Sequence, residues 1–111
     1  MEFSSDMLGE DITRVVLNGR MDIAGAGAVE MKLNLAAGTA KNLLIDLEKV
    51  TFLGSMGLGT LVMPSRAVRS RGGKVVFFNP SEMVEAVLKS SGIDTLFPVY
   101  RDLDAAIAAL K

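Results

Sequence analysis

The chain has 111 residues, half of them apolar and 23% charged, with a net charge of −1. That suits one folded domain with a real core and is too short for two. Histidine and cysteine are both absent, which removes disulfides, thiol catalysis and the commonest general base and metal ligand. Catalysis would have to rest on carboxylates, lysines or the single Tyr100, so no enzyme, cofactor or metal is expected. The near-neutral charge gives no general attraction to nucleic acid or to an anionic membrane. Met1 to Asp11 is polar and acidic, without a secretory pattern, and no apolar run approaches the roughly 20 residues of a membrane helix. A cytoplasmic protein is the expectation, with domain limits of 1–111.

In chain order, Met1 to Leu8 and Ile12 to Leu17 predict two strands joined across Gly9-Glu10-Asp11 as an antiparallel edge hairpin. Gly19-Arg20-Met21-Asp22 leads into a helix over Ala24 to Ala37, with Val29, Leu33 and Ala37 on one face and Gly38 as terminator. Leu43 to Leu47 reads as a strand covered on both faces. Asp46 within it is expected to be a structural hydrogen-bond acceptor. A second helix starts at Ser55, placing Leu58, Leu61, Val62, Ser65 and Val68 at helical spacing, and ends at Arg69-Ser70-Arg71-Gly72-Gly73. Pro64 lies inside that helix and should kink or interrupt it.

Lys74 to Phe78 is the next strand. Asn79-Pro80-Ser81-Glu82 follows as a cap, a proline at the first helical position and a glutamate near the capping-box position. The third helix runs to Ser91 and stops at Gly92, and a short segment around Val99 precedes a last helix, Asp102 to Leu110. Strands alternating with helices predict an α/β domain: a mixed, mostly parallel sheet, an antiparallel N-terminal edge hairpin and about four helices. Functional groups collect at the carboxyl ends of parallel strands. The loops Gly19 to Asp22, Thr51 to Ser55 and Asn79 to Ser81 should therefore meet, with Asp22 near Ser55.

Ser55 stands at a helix start between Gly54 and Met56, with Gly57 and Gly59 close behind. Its hydroxyl suits a helix cap, and the same position favours negative charge. Both a cap and a phosphorylatable switch fit it. Asp22 is either a cap for the first helix or a site carboxylate. The glycines form no phosphate-binding loop, since no Gly-Lys-Ser/Thr follows them. Arg66, Arg69 and Arg71 read as a solvated helix end or as a docking patch for an acidic surface. Phe52, Leu53 and Met56 are either a partner-binding patch or the lip of the core.

Ile45-Asp46-Leu47 with Phe52-Leu53-Gly54-Ser55-Met56-Gly57-Leu58-Gly59-Thr60-Leu61-Val62 resembles bacterial anti-sigma factor antagonists, the small members of the STAS family. Gly19-Arg20-Met21-Asp22, Arg71-Gly72-Gly73-Lys74 and Ser91-Gly92-Ile93-Asp94-Thr95-Leu96-Phe97 match further family segments in order. The resemblance implies a STAS domain and places the family's phosphorylated serine at Ser55 and its loop aspartate at Asp22. Gly54 replaces the motif's aspartate, and Met56 its small residue. Also implied is a partner-switching pathway with a serine-kinase anti-sigma factor, a resetting serine phosphatase, and a monomeric or weakly dimeric chain. The partner-binding surface expected on this basis is Asp22, Phe52, Leu53, Gly54, Met56, Gly57, Gly59 and Asn79. A permanent scaffold or complex subunit without phosphorylation is the alternative that Gly54 and Met56 favour.

Overall fold

A computed structural model describes residues 1–111. Five strands form one sheet in the order β1-β2-β3-β4-β5. They are β1 (Glu2–Leu8), β2 (Ile12–Met21), β3 (Asn42–Leu53), β4 (Val75–Phe78) and β5 (Val99–Tyr100). β1 and β2 pair antiparallel as the edge hairpin, and every other neighbouring pair is parallel. The helices are α1 (Ile23–Thr39), α2 (Ser55–Ser70), α3 (Glu82–Ser90) and α4 (Leu103–Ala109), with a 3₁₀ turn at Ile93–Thr95. The mixed sheet, the edge hairpin and the four helices are as expected from the sequence.

Alternation along the strands sorts the core into two layers. Leu43, Ile45, Leu47, Val75 and Phe77 pack with Val29, Leu33 and Ala37 of α1, Leu61 and Val68 of α2, and Val84 and Leu88 of α3. Leu44 and Val76 face the other way and meet Ala106 and Leu110 of α4. Coverage on both faces explains the unbroken apolar run Leu43 to Leu47. α4 is too short to reach the far halves of β2 and β3, where Asn18, Arg20, Glu48, Lys49 and Thr51 are exposed instead.

Both of those strands are longer than the sequence reading. β2 reaches Met21 rather than Leu17, and β3 reaches Leu53 rather than Leu47. Their pairing shifts register twice, between Val16 and Asn18 and between Gly19 and Arg20. Such bulges break the period-two pattern by which a strand is recognised. Asp46 behaves as expected, its Oδ1 accepting from the Glu48 N–H at 3.0 Å.

Two helix ends and one helix interior differ from expectation. α1 continues through Gly38 to Thr39, and Ala40 is its cap residue. The Arg71 guanidinium donates to the carbonyls of Ala37 (2.5 Å) and Ala40 (3.1 Å). A side chain from the end of α2 thus satisfies orphan carbonyls that a glycine turn would otherwise serve. α2 is unbroken across Pro64, which is buried. Around it the Thr60 hydroxyl donates to Met56 O and the Ser65 hydroxyl to Leu61 O. At α3 the cap is Ser81, whose oxygen accepts from Val84 N–H. Pro80 therefore sits before the cap, and Glu82, at the first helical position, makes no capping box.

The glycines of α2 divide sharply in what they do. A Cβ on Gly57 would lie 2.6 Å from Met21 O and 2.7 Å from Met21 Cγ, whereas one on Gly59 would meet nothing within 4 Å. Gly57→Ala should therefore destabilise the fold by about 1–3 kcal/mol through overpacking. Gly59→Ala should be neutral, or stabilising by up to about 1 kcal/mol through helix propensity. Urea denaturation of both variants measures the contrast; equal effects would contradict the packing described.

Candidate functional site

The site is built where β2 and β3 end side by side. Met21 pairs with Leu53, and Gly54 N–H donates to Met21 O at 3.1 Å. One residue further on, each strand delivers a helix: Asp22 caps α1, and Gly54 is the cap residue of α2. Asp22 and Ser55 are thereby brought to the same edge, as the topology predicts.

Both helices carry glycine at their third position, for the same reason. A Cβ on Gly25 would fall 1.9 Å from Arg20 O, just as one on Gly57 would strike Met21 O. Each first turn settles directly on the last carbonyls of β2. The caps, however, differ. Asp22 Oδ1 accepts from Gly25 N–H at 2.8 Å, while Gly54 offers no side-chain cap to α2. Ser55 is inside the helix rather than at its cap, and its hydroxyl makes no hydrogen bond to the chain. The capping role expected of Ser55 is therefore corrected: the cap position belongs to the residue before it.

Gly54 has φ −94° and ψ 179°, an extended conformation open to any residue. Backbone strain does not explain the glycine there. A Cβ would approach the Phe52 ring at 3.3 Å, a contact that a half-buried ring can relieve by a small shift.

Ser55 opens onto a shallow groove of about 210 Å³ between α1 and α2, lined by Glu30 and Asn34 on one side and Ser55, Met56, Gly59, Thr60 and Met63 on the other. Met56 and Met63 are 57% and 68% exposed. Across the strand ends, the Arg20 guanidinium stacks over the Phe52 ring at 4.6 Å, with its Nε 3.6 Å from Asp22 Oδ2. The Asp22 carboxyl is held below its usual value by the Gly25 N–H bond first, which outweighs an opposing desolvation, and then by the nearby Arg20.

Of the residues expected to meet a partner, Asp22, Phe52, Gly54, Met56 and Gly59 lie at this surface. Leu53 is 4% exposed and Gly57 is buried, so these two lie beneath the surface rather than on it. Asn79 is elsewhere. Phe78 is level with Asp46 in the sheet, leaving roughly 20 Å of β3 between that level and Leu53. Asn79 adopts φ 51°, donates its N–H to Tyr100 O and accepts from Arg101. The expected meeting of three loops is thus a meeting of two.

Arg20, Glu30, Asn34 and Met63 join the site without having been singled out from the sequence. Glu30 and Asn34 are four apart on α1, and Met63 is two turns beyond Ser55 and Met56, which is the only trace they leave in the sequence. The arginine cluster disperses: Arg71 holds α1, Arg69 donates to Leu96 O, and Arg66 is exposed. No group of three or more acidic, histidine or cysteine side chains is placed to hold a metal ion. No helix is long and apolar enough to cross a membrane.

Comparison with known proteins agrees with this architecture. The STAS domain family model matches residues 9–106, and the chain belongs to that family. An anti-sigma F factor antagonist of Lysinibacillus sphaericus is 25% identical over 95 residues, spanning 84% of this chain and 81% of the relative. A crystal structure of an anti-sigma factor antagonist from Mycobacterium paratuberculosis has a TM-score of 0.82 at 27% identity, covering 98% of this chain and 92% of that one. The Bacillus cell fate determinant SpoIIAA in its phosphorylated form shares the fold, with a TM-score of 0.75 at 20% identity over 99% of this chain and 100% of that one.

The depressed carboxyl of Asp22 has a consequence in acid. A group whose folded pKa lies below its unfolded value stabilises the fold above the unfolded value, near 3.8, and loses that contribution as pH falls toward the folded value. Asp22→Asn keeps a capping oxygen but cannot titrate. Its denaturant midpoint should fall less steeply below pH 3.8 than that of the parent, with the remaining slope owed in part to Asp6, which the Arg14 hydrogen bond also depresses. Identical acid profiles would contradict this cap.

Proposed function

We propose that this STAS domain is an anti-sigma factor antagonist that binds a serine-kinase anti-sigma factor or related regulator and is switched by phosphorylation at Ser55. The observation that carries the reading is the state of Ser55. The motif resemblance assigns it the place of the family's phosphorylated serine, and it is exposed, in the first turn of α2, with its hydroxyl free of hydrogen bonds. The names of the antagonist relatives and the phosphorylated form of SpoIIAA support it.

Phosphorylation would add roughly −1.5 to −2 charges at the centre of the surface. The α2 terminus tolerates that charge, because no carboxylate caps its first-turn amides. A partner surface shaped for the neutral hydroxyl does not. The switch is then electrostatic and local, and the fold persists through it. A serine phosphatase would reset it. The protein acts by binding rather than by catalysis. A cytoplasmic setting, alongside the transcription machinery, goes with this role.

The 57% exposure of Met56 beside Ser55 favours a second reading, in which an apolar contact makes the chain a permanent scaffold or subunit. Incubation with the cognate kinase and ATP, followed by mass mapping, separates the two: one phosphate on Ser55 supports the switch, and none with a bound, active kinase supports the scaffold. Because Ser55 makes no hydrogen bond, Ser55→Ala should change stability by no more than about 0.5 kcal/mol. It should abolish phosphorylation while retaining kinase binding. Ser55→Asp should fold as well yet bind more weakly. Calorimetric titration with parallel melts checks both; binding that merely follows stability would contradict the switch.

A further inference from the structure

The Arg20 side chain is only partly engaged within the chain, with Asp22 as its ionic partner. Its guanidinium carbon lies over the Phe52 ring, 4.6 Å from the centroid, yet the side chain remains 63% exposed. Asp22 Oδ2 pairs with Nε at 3.6 Å, while Asp22 Oδ1 is committed to Gly25 N–H. No hydrogen bond within the chain uses the guanidinium donors, in contrast to Arg14, Arg69, Arg71 and Arg101, each of which donates to a carboxylate or carbonyl.

The neighbouring position 54 carries no side chain. A Cβ at Gly54 would stand 3.3 Å from the Phe52 ring, the ring over which the guanidinium lies. Glycine supplies no acid there. The Ser55 hydroxyl lies on the groove formed with Glu30 and Asn34. Arg20 and Phe52, paired across β2 and β3, alternate with the buried Met21 and Leu53 and so face the opposite side of the sheet from α1 and α2.

The geometry points to Arg20 as a specificity-determining residue: on its Phe52 platform it receives an acidic side chain of the protein partner, filling the place left open by Gly54. A planar guanidinium takes a carboxylate in a two-bond fork, and a stacked arginine loses little freedom on doing so. Aromatic and arginine side chains together are also the usual anchors of an interface. This inference rests on the reading of the Ser55 surface as a partner-binding site.

The test is calorimetric titration of the unphosphorylated chain with the kinase that phosphorylates Ser55, at low and high salt, with thermal melts alongside. Arg20→Ala should weaken binding by about tenfold or more and flatten its salt dependence, with melting unchanged at this exposed position. Arg20→Lys should keep the salt dependence but recover only part of the affinity, since lysine lacks the fork. Phe52→Leu should fall between the two. If the parent chain binds and Arg20→Ala binds within about twofold of it, the inference is overturned and the Ser55 reading stands. If Arg20→Ala changes only the phosphorylated form, the ligand is the phosphate and the inference is again overturned. A parent chain that neither binds a kinase nor gains phosphate overturns both.

Discussion

The carbonyl of Met21 is the point on which the site depends. It accepts the Gly54 N–H and lies under the first turn of α2, so close to Gly57 that no side chain fits between them. The carbonyl of Arg20 stands in the same relation to Gly25 and α1. Two parallel strands and two helix starts are thereby joined through backbone contacts, which leave little freedom for relative motion. Val29, Leu33 and Leu61 lie fully or almost fully buried beneath, and a well-packed interior transmits displacement rather than absorbing it.

A rigid edge of this kind suits recognition by surface charge. The groups at this edge are few and held: Asp22 by its cap bond, Glu30 by its place on α1 and, on the other face of the sheet, Arg20 by its contact with Phe52. On the reading proposed above, a phosphate added at Ser55 would meet an uncapped helix start within the chain. It would leave the fold intact while changing the charge offered to a partner, which is the division of labour a binding switch needs. The exposed methionines at positions 56 and 63 add flexible apolar surface to this edge.

The layer architecture was legible in the sequence because its signals are local and redundant. The run Leu43 to Leu47, the spacing of Val29, Leu33 and Ala37, and the cap at Asp102 each identify an element alone. What escaped was decided at longer range. The ends of β2 and β3 are bulged, so their alternation is broken. The end of α1 is set by Arg71, more than thirty residues away in the chain. The adjacency of Asp22 and Ser55 followed from topology, but the displacement of Asn79 did not, because it depends on β3 outrunning β4. Serine at a helix start satisfies the cap signature whether it stands at the cap or one residue inside. Only the backbone angles of Gly54 distinguish the two.

The central claim is that modification changes the surface and leaves the platform alone. Amide NMR spectra of the chain with serine and with phosphoserine at position 55 test it most directly. The account predicts shift changes confined to the ends of β2 and β3, the first turns of α1 and α2, and the groove residues Glu30 and Asn34. Amides of β4, α3 and α4 should keep their positions and their protection from exchange. Shifts spread through those elements, or a loss of dispersion across the spectrum, would show that phosphate acts by remodelling the fold and would contradict the account.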